Sequence, residues 1–239
     1  MNHHKIKVIL FGMGIMGKQI TRFLADKNVP VVAAVGRRSH IGEDIGELSG
    51  IGPSGVSLLA GPDIDLEEVI KASGANVAIH CSANLEEIAD QICCCLENGL
   101  NVITLSEDAY FPFVENLKTY KRLNDAALRN RVTLVGLHIM PGQTMGSIQC
   151  TELMTAENIT LNGKICWAYG AEGATGIDKW TFRGIPSFEV ITDDPAPFFG
   201  TAIDAVLRIP DVMKAEPGFI TVKDLPKPRY LHGDLDDYV

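Results

Sequence analysis

The stretch Lys5-Ile-Lys-Val-Ile-Leu-Phe-Gly-Met-Gly-Ile-Met-Gly17 joins a short apolar run to three glycines in G-x-G-x-x-G spacing, and a helical pattern follows. This order predicts a strand, a tight turn and a helix. Gly12 would allow the turn, Gly14 would let a pyrophosphate approach the backbone, and Gly17 would let the helix pack closely on the strand. The first N–H groups of the helix would then face the phosphates. The stretch is therefore interpreted as a dinucleotide-binding turn, with a purely structural glycine turn as the alternative.

Composition limits the classes of protein that the chain can represent. Its 239 residues are 46% hydrophobic, which is enough for a nucleotide-binding domain with a smaller appendage. The formal net charge of −9 argues against nucleic-acid and anionic-membrane partners. No apolar run reaches the ~18 residues that span a bilayer, and the polar start has no signal-peptide apolar segment. A cytoplasmic location is therefore expected.

Cysteine and histidine usage gives no sign of a metal site. The six cysteines contain no C-x-x-C pair, and Cys93, Cys94 and Cys95 are adjacent. Adjacent residues on a helix point in different directions, so these thiols cannot jointly hold a metal. The cysteines are interpreted as reduced, mostly packed thiols. The six histidines are dispersed along the chain, and no metal site is predicted.

The second predicted strand bears on the choice of cofactor. It covers Val31 to Val35 and completes a β-α-β unit, and Gly36-Arg37-Arg38-Ser39 follows it. NAD-binding versions place an acidic residue here to accept the ribose 2′-hydroxyl. A carboxylate would repel a 2′-phosphate, whereas arginine can hold one through charge-assisted hydrogen bonds and stacking. NADP(H) is therefore the expected cofactor, and NAD(H) is the alternative. If the two arginines have no role in cofactor binding, they are simply solvated loop residues.

Strands and helices alternate up to residue 142, which predicts an α/β fold with a Rossmann-type, doubly wound parallel sheet. The further strands are expected at 77–81, 101–105 and 132–137, and the helices at 43–48, 65–72, 85–98 and 113–130. Asp65 and Asn84 have the spacing of helix N-caps. Polar residues follow two of these strands, at Cys81-Ser82 and at Ser106-Glu107-Asp108. Because ligands bind at the carboxyl ends of such strands, both segments are candidate site residues.

Beyond residue 142 the alternation breaks. Ile-Thr-Leu precedes Asn162-Gly163 and Lys-Ile-Cys-Trp follows it, which is typical of a two-residue hairpin. The sequence therefore predicts a smaller α+β second domain with antiparallel strands at 143–196, for substrate binding and dimerisation. The dinucleotide-binding domain would cover 1–142. A helix at 198–208, ended by Pro210, and the tail would return to that domain within 197–239.

Several segments resemble the 2,4-diaminopentanoate dehydrogenase and native amine dehydrogenase family, in the dihydrodipicolinate reductase-like superfamily. These segments are the glycine turn, 42–50, 79–82, 103–108, 209–219, 223–226 and 232–234. The resemblance covers the first ~145 and the last ~45 residues. The family's substrate domain is longer, so the stretch between Gly142 and Asp194 looks like a shortened version. Met140 also stands where the family tends to have asparagine.

The resemblance implies an NAD(P)-dependent oxidoreductase acting on CH–NH2 groups. It would catalyse reversible oxidative deamination of an amine, or reductive amination of a ketone with ammonia, as a homodimer. A dihydrodipicolinate reductase-like imine or enamine reductase is the alternative enzyme. A sensor that binds NADP(H) without turnover is the alternative outside enzymes.

By the same resemblance the family's acidic catalytic residue falls on Glu107. From the residues alone, Glu107 lies beside Tyr110 and Phe111, where partial burial would suit a carboxylate to moving protons around ammonia. An exposed or helix-capping carboxylate is the alternative, and Asp108 is the alternative acid. Ser82 is a candidate cofactor contact, with an ordinary turn residue as the alternative. His138 is a candidate for the substrate pocket, with a structural histidine as the alternative. The expected cofactor contacts are Gly12, Gly14, Ile15, Met16, Gly17, Arg37, Arg38, Ser39, Cys81 and Ser82, and the expected substrate pocket is Tyr110, His138, Met140 and Pro141.

Overall fold

The structure is a computed structural model and describes residues 4–81, 84–110, 112–115, 117–137, 146–154, 160–168, 177–183, 185–193 and 197–239. The chain divides into two compact units, the larger formed by residues 1–139 with 198–239 and the smaller by residues 140–197. The corresponding boundaries predicted from the sequence are residues 142 and 196. Each unit is described below by itself.

The elements are numbered in chain order. The strands are β1 (Val8–Phe11), β2 (Val31–Gly36), β3 (Leu58–Ala60), β4 (Val77–His80), β5 (Asn101–Thr104), β6 (Thr133–Gly136), β7 (Gly146–Met154), β8 (Thr160–Ala168), β9 (Ile177–Phe182), β10 (Phe188–Asp193) and β11 (Gly218–Ile220). The helices are α1 (Ile15–Asp26), α2 (Ile45–Ser49), α3 (Leu66–Ser73), α4 (Leu85–Glu97), α5 (Pro112–Glu115), α6 (Leu117–Asn130), α7 (Pro197–Leu207) and α8 (Ile209–Lys214). Short 3₁₀ turns lie at Gly61–Asp63, Glu107–Ala109, Val222–Asp224 and Leu235–Tyr238.

The larger unit is built on a seven-stranded sheet in the order β11-β6-β5-β4-β1-β2-β3. All six strand pairings in it are parallel. From β1 the chain runs outward through β2 and β3, and then restarts at β4 on the other side of β1. The switch point therefore lies between β1 and β4, and the predicted doubly wound Rossmann fold is confirmed.

Helices cover both faces of this sheet. Successive residues of β1 face opposite sides, so Val8 and Leu10 pack with α1, α2, α7 and α8 in one apolar cluster. Ile9 and Phe11 pack with α3, α4 and α6 in the other. Burial on both faces explains why the strands are continuous apolar runs rather than alternating ones.

Two helix starts follow the predicted capping pattern. The Asp65 carboxylate accepts a hydrogen bond from the Glu68 backbone N–H at 3.2 Å, and the Asn84 amide oxygen accepts one from the Glu87 N–H at 3.1 Å. Both predicted N-caps are confirmed. Pro210, expected to end a helix, lies in the first turn of α8, because proline has no N–H and suits that position.

The smaller unit contains two antiparallel pairs, β7 with β8 and β9 with β10, as the sequence predicted. The hairpin turn predicted at Asn162-Gly163 is wrong. Both residues lie inside β8, where Asn162 pairs with Glu152 and Gly163 pairs with Thr151. Asn-Gly permits a turn, but pairing along the whole of β7 keeps these residues extended.

None of the helices among the described residues combines the length and the apolar character needed to cross a bilayer.

Candidate functional site

Two glycines of the turn, Gly12 and Gly17, are required by the backbone itself, and the third, Gly14, has free space beside it. Gly12 has a φ of +94°, which an L side chain rarely adopts, and its N–H donates to the Val35 carbonyl at 2.8 Å. A Cβ built on Gly17 would lie 2.0 Å from the Gly12 carbonyl oxygen, so helix α1 packs directly on the turn. Among the described residues, no atom lies within 4 Å of a Cβ built on Gly14. The space beside Gly14 is thus open to a ligand and would be filled by a side chain.

The start of α1 suits an anion. Gly14 is the N-cap and offers no side chain to the first-turn N–H groups, and the first turn contains no acidic residue. The N–H groups of Ile15, Met16 and Gly17 have no acceptor within the helix because they belong to its first turn. The positive end of the helix dipole is at this same N-terminus of α1. A pyrophosphate therefore fits the residues present.

The candidate residues follow four neighbouring strands at one edge of the sheet. Glu107 comes after β5, Cys81 after β4, the glycine turn after β1 and Arg37 after β2. Neighbouring strands lie ~4.8 Å apart, so β5 and β2 are separated by about 14 Å. The edge thus has a carboxylate turn at one end, an anion-binding helix start in the middle and arginines at the other end. Such an edge fits an elongated, phosphate-containing ligand.

The arginine end contains a carboxylate that the sequence analysis did not assign to the site. Arg37 Nη2 lies 2.7 Å from Glu87 Oε2, and the side chains are 65% and 58% exposed. Arg38 and Ser39 are exposed beside this pair. Glu87 was recognised only through its capping distance from Asn84. Nothing in the local sequence links it to Arg37, because the two residues are 50 positions apart.

The loop after the arginines is held together by Asp44. Its carboxylate accepts hydrogen bonds from the backbone N–H groups of Gly46, Glu47, Ser54 and Gly55, and from the Ser54 hydroxyl. The bond from the Ser54 backbone, together with the others, holds the pKa of Asp44 well below its ordinary value. An ionised Asp44 therefore caps α2 and fixes the loop that follows it.

The carboxylate end is a braced 3₁₀ turn. Glu107 is half-buried, and its carbonyl accepts from the Tyr110 N–H at 3.0 Å. Its neighbour Asp108 accepts from the Leu85 N–H at 3.3 Å and from the Ser106 hydroxyl at 3.1 Å. Asp108 therefore holds the turn against the start of α4, and these bonds fix the backbone that carries Glu107.

The same turn rests on β6. A Cβ built on Gly136 would lie 2.3 Å from the Ala109 carbonyl oxygen, so only glycine allows this approach. Gly136 is not among the residues predicted from the sequence to belong to the site. Its position as an isolated glycine in an apolar strand could have indicated the contact, because such a glycine often marks a close approach of another backbone.

The end of β4 is buried and apolar. The His80 ring stacks on Phe11 with centroids 3.9 Å apart, and neither ring nitrogen has a hydrogen-bond partner in the described part of the chain. Burial lowers the pKa of His80 to about 3. Burial also raises the pKa of Cys81 to about 12, so its thiol is not a nucleophile at neutral pH. The Cys81 side chain, which is partly exposed, lies against the glycine turn, with its Cβ 3.5 Å from the position that a Cβ on Gly12 would occupy.

The remaining predicted site residues lie outside the described residues: Ser82, His138, Met140 and Pro141. Tyr110 is half-buried at the end of the carboxylate turn. Within the described ranges, no three His, Cys, Asp or Glu residues are grouped so that they could hold a metal ion.

A doubly wound sheet with a glycine turn at its switch point defines a Rossmann-type, nucleotide-binding class of domain. In agreement, residues 6–105 match the family model "Dihydrodipicolinate reductase, N-terminus". The chain is 29% identical over 144 residues to a 2,4-diaminopentanoate dehydrogenase from Acetoanaerobium sticklandii, covering 59% of this chain and 40% of that protein. It is 39% identical over 82 residues to a 4-hydroxy-tetrahydrodipicolinate reductase from Methanococcus maripaludis, covering 33% and 30%. The matches thus span less than half the length of these curated relatives.

Among solved structures, an amine dehydrogenase from Mycobacterium smegmatis matches with a TM-score of 0.77 at 20% identity, covering 96% of this chain and 98% of that one. This likeness shows that the two chains share a fold and have similar lengths. Together the comparisons confirm the resemblance to the 2,4-diaminopentanoate dehydrogenase and amine dehydrogenase family of dihydrodipicolinate reductase-like proteins.

Proposed function

We propose that this chain is an NAD(P)H-dependent amine dehydrogenase that interconverts a small amine with a ketone and ammonia. The observation that carries the proposal is the braced Glu107 turn on the same sheet edge as the open glycine turn. The names of the relatives support the same class of reaction.

The dinucleotide would lie along this edge. Its pyrophosphate would bind at Gly14 and the first turn of α1, where the N–H groups are uncapped. Its adenosine end would extend toward Arg37, Arg38 and Ser39 after β2, and its nicotinamide end toward the ends of β4 and β5. When bound, the nicotinamide supplies or accepts the hydride at the substrate carbon.

Glu107 would move the protons of the reaction. In reductive amination, ammonia adds to the ketone carbonyl and its nitrogen loses a proton. The oxygen takes up two protons, that one and a second from the solvent, and leaves as water, so that an iminium remains. The carbon–nitrogen double bond that remains is then reduced by hydride. A half-buried carboxylate can accept the first proton and return it in the second step. In the oxidative direction, the same carboxylate would serve the reverse steps.

Glu107→Gln tests this role, because it preserves size and polarity but removes the titrating group. We expect turnover of an accepted ketone with ammonium to fall ~10²–10⁴-fold, with NADPH affinity nearly unchanged. Initial rates of NADPH oxidation and a fluorescence titration of NADPH measure the two quantities.

Asp108→Asn is the matched control. Asparagine retains an oxygen that can accept from Leu85 or Ser106, so this variant should lose much less turnover. Retention of most wild-type turnover by Glu107→Gln would show that its carboxylate is structural and that the mechanism is wrong.

We also propose that the cofactor is preferentially NADP(H), held by Arg37 and Arg38. Replacing both with alanine should weaken NADPH binding by on the order of 1.5–3 kcal/mol per lost charged contact and leave NADH binding unchanged. Equal affinities of the wild-type protein for NADPH and NADH would contradict this preference.

A second candidate is an imine or enamine reductase, favoured by the family model that matches residues 6–105. It would oxidise NADPH with a cyclic imine in the absence of ammonium. The amine dehydrogenase requires ammonium together with a ketone. A protein that binds NADPH without either activity would instead be a sensor.

A further inference from the structure

We infer that Glu87 determines how strongly this site discriminates between dinucleotides with a 2′-phosphate and those with a 2′-hydroxyl. The inference rests on the proposed dinucleotide binding. The sequence has arginines directly after β2, where NAD-binding proteins often have an acid. The fold nevertheless brings an acidic residue, Glu87, next to Arg37. Glu87 belongs to α4, which follows β4, two strands away from β2 in the sheet.

The position of Glu87 is well defined. Its backbone N–H donates to the Asn84 side chain at 3.1 Å, and the Leu85 N–H donates to Asp108 at 3.3 Å. Both bonds fix the first turn of α4. From this turn the Glu87 carboxylate reaches Arg37 Nη2 at 2.7 Å, and both side chains are open to solvent. An incoming ribose phosphate would therefore meet an arginine that is already paired.

The chemistry of the two ribose groups differs at such a pair. A 2′-phosphate carries about two negative charges, so it competes with Glu87 for Arg37 and is repelled by the carboxylate. A 2′-hydroxyl is uncharged and can donate a hydrogen bond to the same carboxylate. Glu87 thus opposes the preference that Arg37 and Arg38 create, and shifts the site toward accepting both cofactors.

The size of the effect follows from exposure. Solvent-exposed ion pairs contribute ~0.2–1 kcal/mol, which corresponds to a roughly 1.5- to 5-fold change in affinity. We expect Glu87→Gln to raise the ratio of NADPH to NADH affinity by roughly 2- to 5-fold at low ionic strength, and by less at high salt. Circular dichroism should show an unchanged fold, because Glu87 is exposed.

Glu86→Gln is the matched control. It removes the same charge from the same exposed first turn, but the ion pair of Arg37 is made with Glu87. A general loss of negative charge would change the affinity ratio in both variants alike. A specific effect changes it in Glu87→Gln alone. Repeating Glu87→Gln in an Arg37→Ala background removes the competition for Arg37, so the change that remains there measures the direct effect of the Glu87 carboxylate on the ribose group.

Fluorescence titrations with NADPH and with NADH measure the affinities in each variant. An unchanged ratio in Glu87→Gln, an equal change in Glu86→Gln or weaker NADPH binding by Glu87→Gln would overturn the inference and leave the proposed function standing. A wild-type protein that binds neither dinucleotide would overturn both.

Discussion

Lowering the pH from about 8 to about 5 should destabilise the protein through His80. The imidazole is fully buried, stacked on Phe11, and has no hydrogen-bond partner for either nitrogen among the described residues. A charged ring there would lose its hydration without gaining a counter-ion. For this reason burial lowers the pKa of His80 from 6.5 to about 3.

The magnitude follows from proton linkage. Between these two pKa values the unfolded chain binds a proton that the folded protein does not, so the free energy of unfolding falls as the pH falls. At about pH 5 the unfolded imidazole is almost fully protonated and the loss relative to pH 8 is ~2 kcal/mol. This figure depends mainly on the unfolded pKa, because the folded ring is neutral at that pH. The lowered pKa values of Asp44 and Asp224 act only at more acidic pH, since their ordinary value is 3.8.

Urea unfolding of the wild type and of His80→Leu at both pH values tests the reasoning. Leucine is close to histidine in volume and cannot titrate, so the variant should lose ~2 kcal/mol less than the wild type between the two conditions. His232→Asn, which removes an exposed histidine instead, is the control variant. Equal losses in the wild type and His80→Leu would contradict the prediction and would mean that the His80 ring is hydrogen-bonded or hydrated.

Three further predictions concern packing and assembly. Gly17→Ala should lower the free energy of unfolding by at least ~2 kcal/mol, because the added Cβ would overlap the glycine turn, and urea denaturation measures this loss. Gly14→Ala should fold normally but bind NADPH more weakly, which a fluorescence titration measures. Arg208→Ala should cost ~2–4 kcal/mol in urea unfolding, because it removes a buried guanidinium from both Asp204 and Asp211 and leaves Asp211 with the half-exposed Arg229 alone. Arg122→Ala, at an exposed pair, should cost less than ~1 kcal/mol. The exposed apolar side chains of β9 and β10 favour a homodimer, and light scattering that shows a monomer at tens of micromolar would count against it.

The large sheet could be predicted because its signals are local. Each helix start needs only a cap and a residue three positions later, as at Asp65 and Asn84. The central strands are continuous apolar runs that stand out from their polar flanks. The two outermost strands, β3 and β11, were missed because each has only three residues. They become strands by pairing with β2 and β6, which local sequence does not reveal.

The site could be predicted where its chemistry is contained in one segment. The glycine turn is such a segment, and its φ angle and close contacts follow from its own residues. The bracing of Glu107 and the pairing of Arg37 depend on residues 23 to 50 positions away in sequence. No periodicity or spacing rule connects residues at that distance. The Asn162-Gly163 error has a different origin, because pairing with Glu152 and Thr151, only 10 and 12 positions earlier, holds both residues in β8 despite their preference for a turn.

The two helices that begin at the switch point differ in whether they can bind an anion, and this difference orients the proposed cofactor. At α4 the Leu85 and Glu87 N–H groups are already hydrogen-bonded to side chains, and the first turn contains two glutamates. At α1 the N-cap is Gly14, with no side-chain acceptor and no acid in the first turn. A phosphate would gain N–H groups and a favourable dipole at α1 and meet repulsion at α4. The pyrophosphate is therefore expected at α1, between the arginine end of the edge and the Glu107 turn.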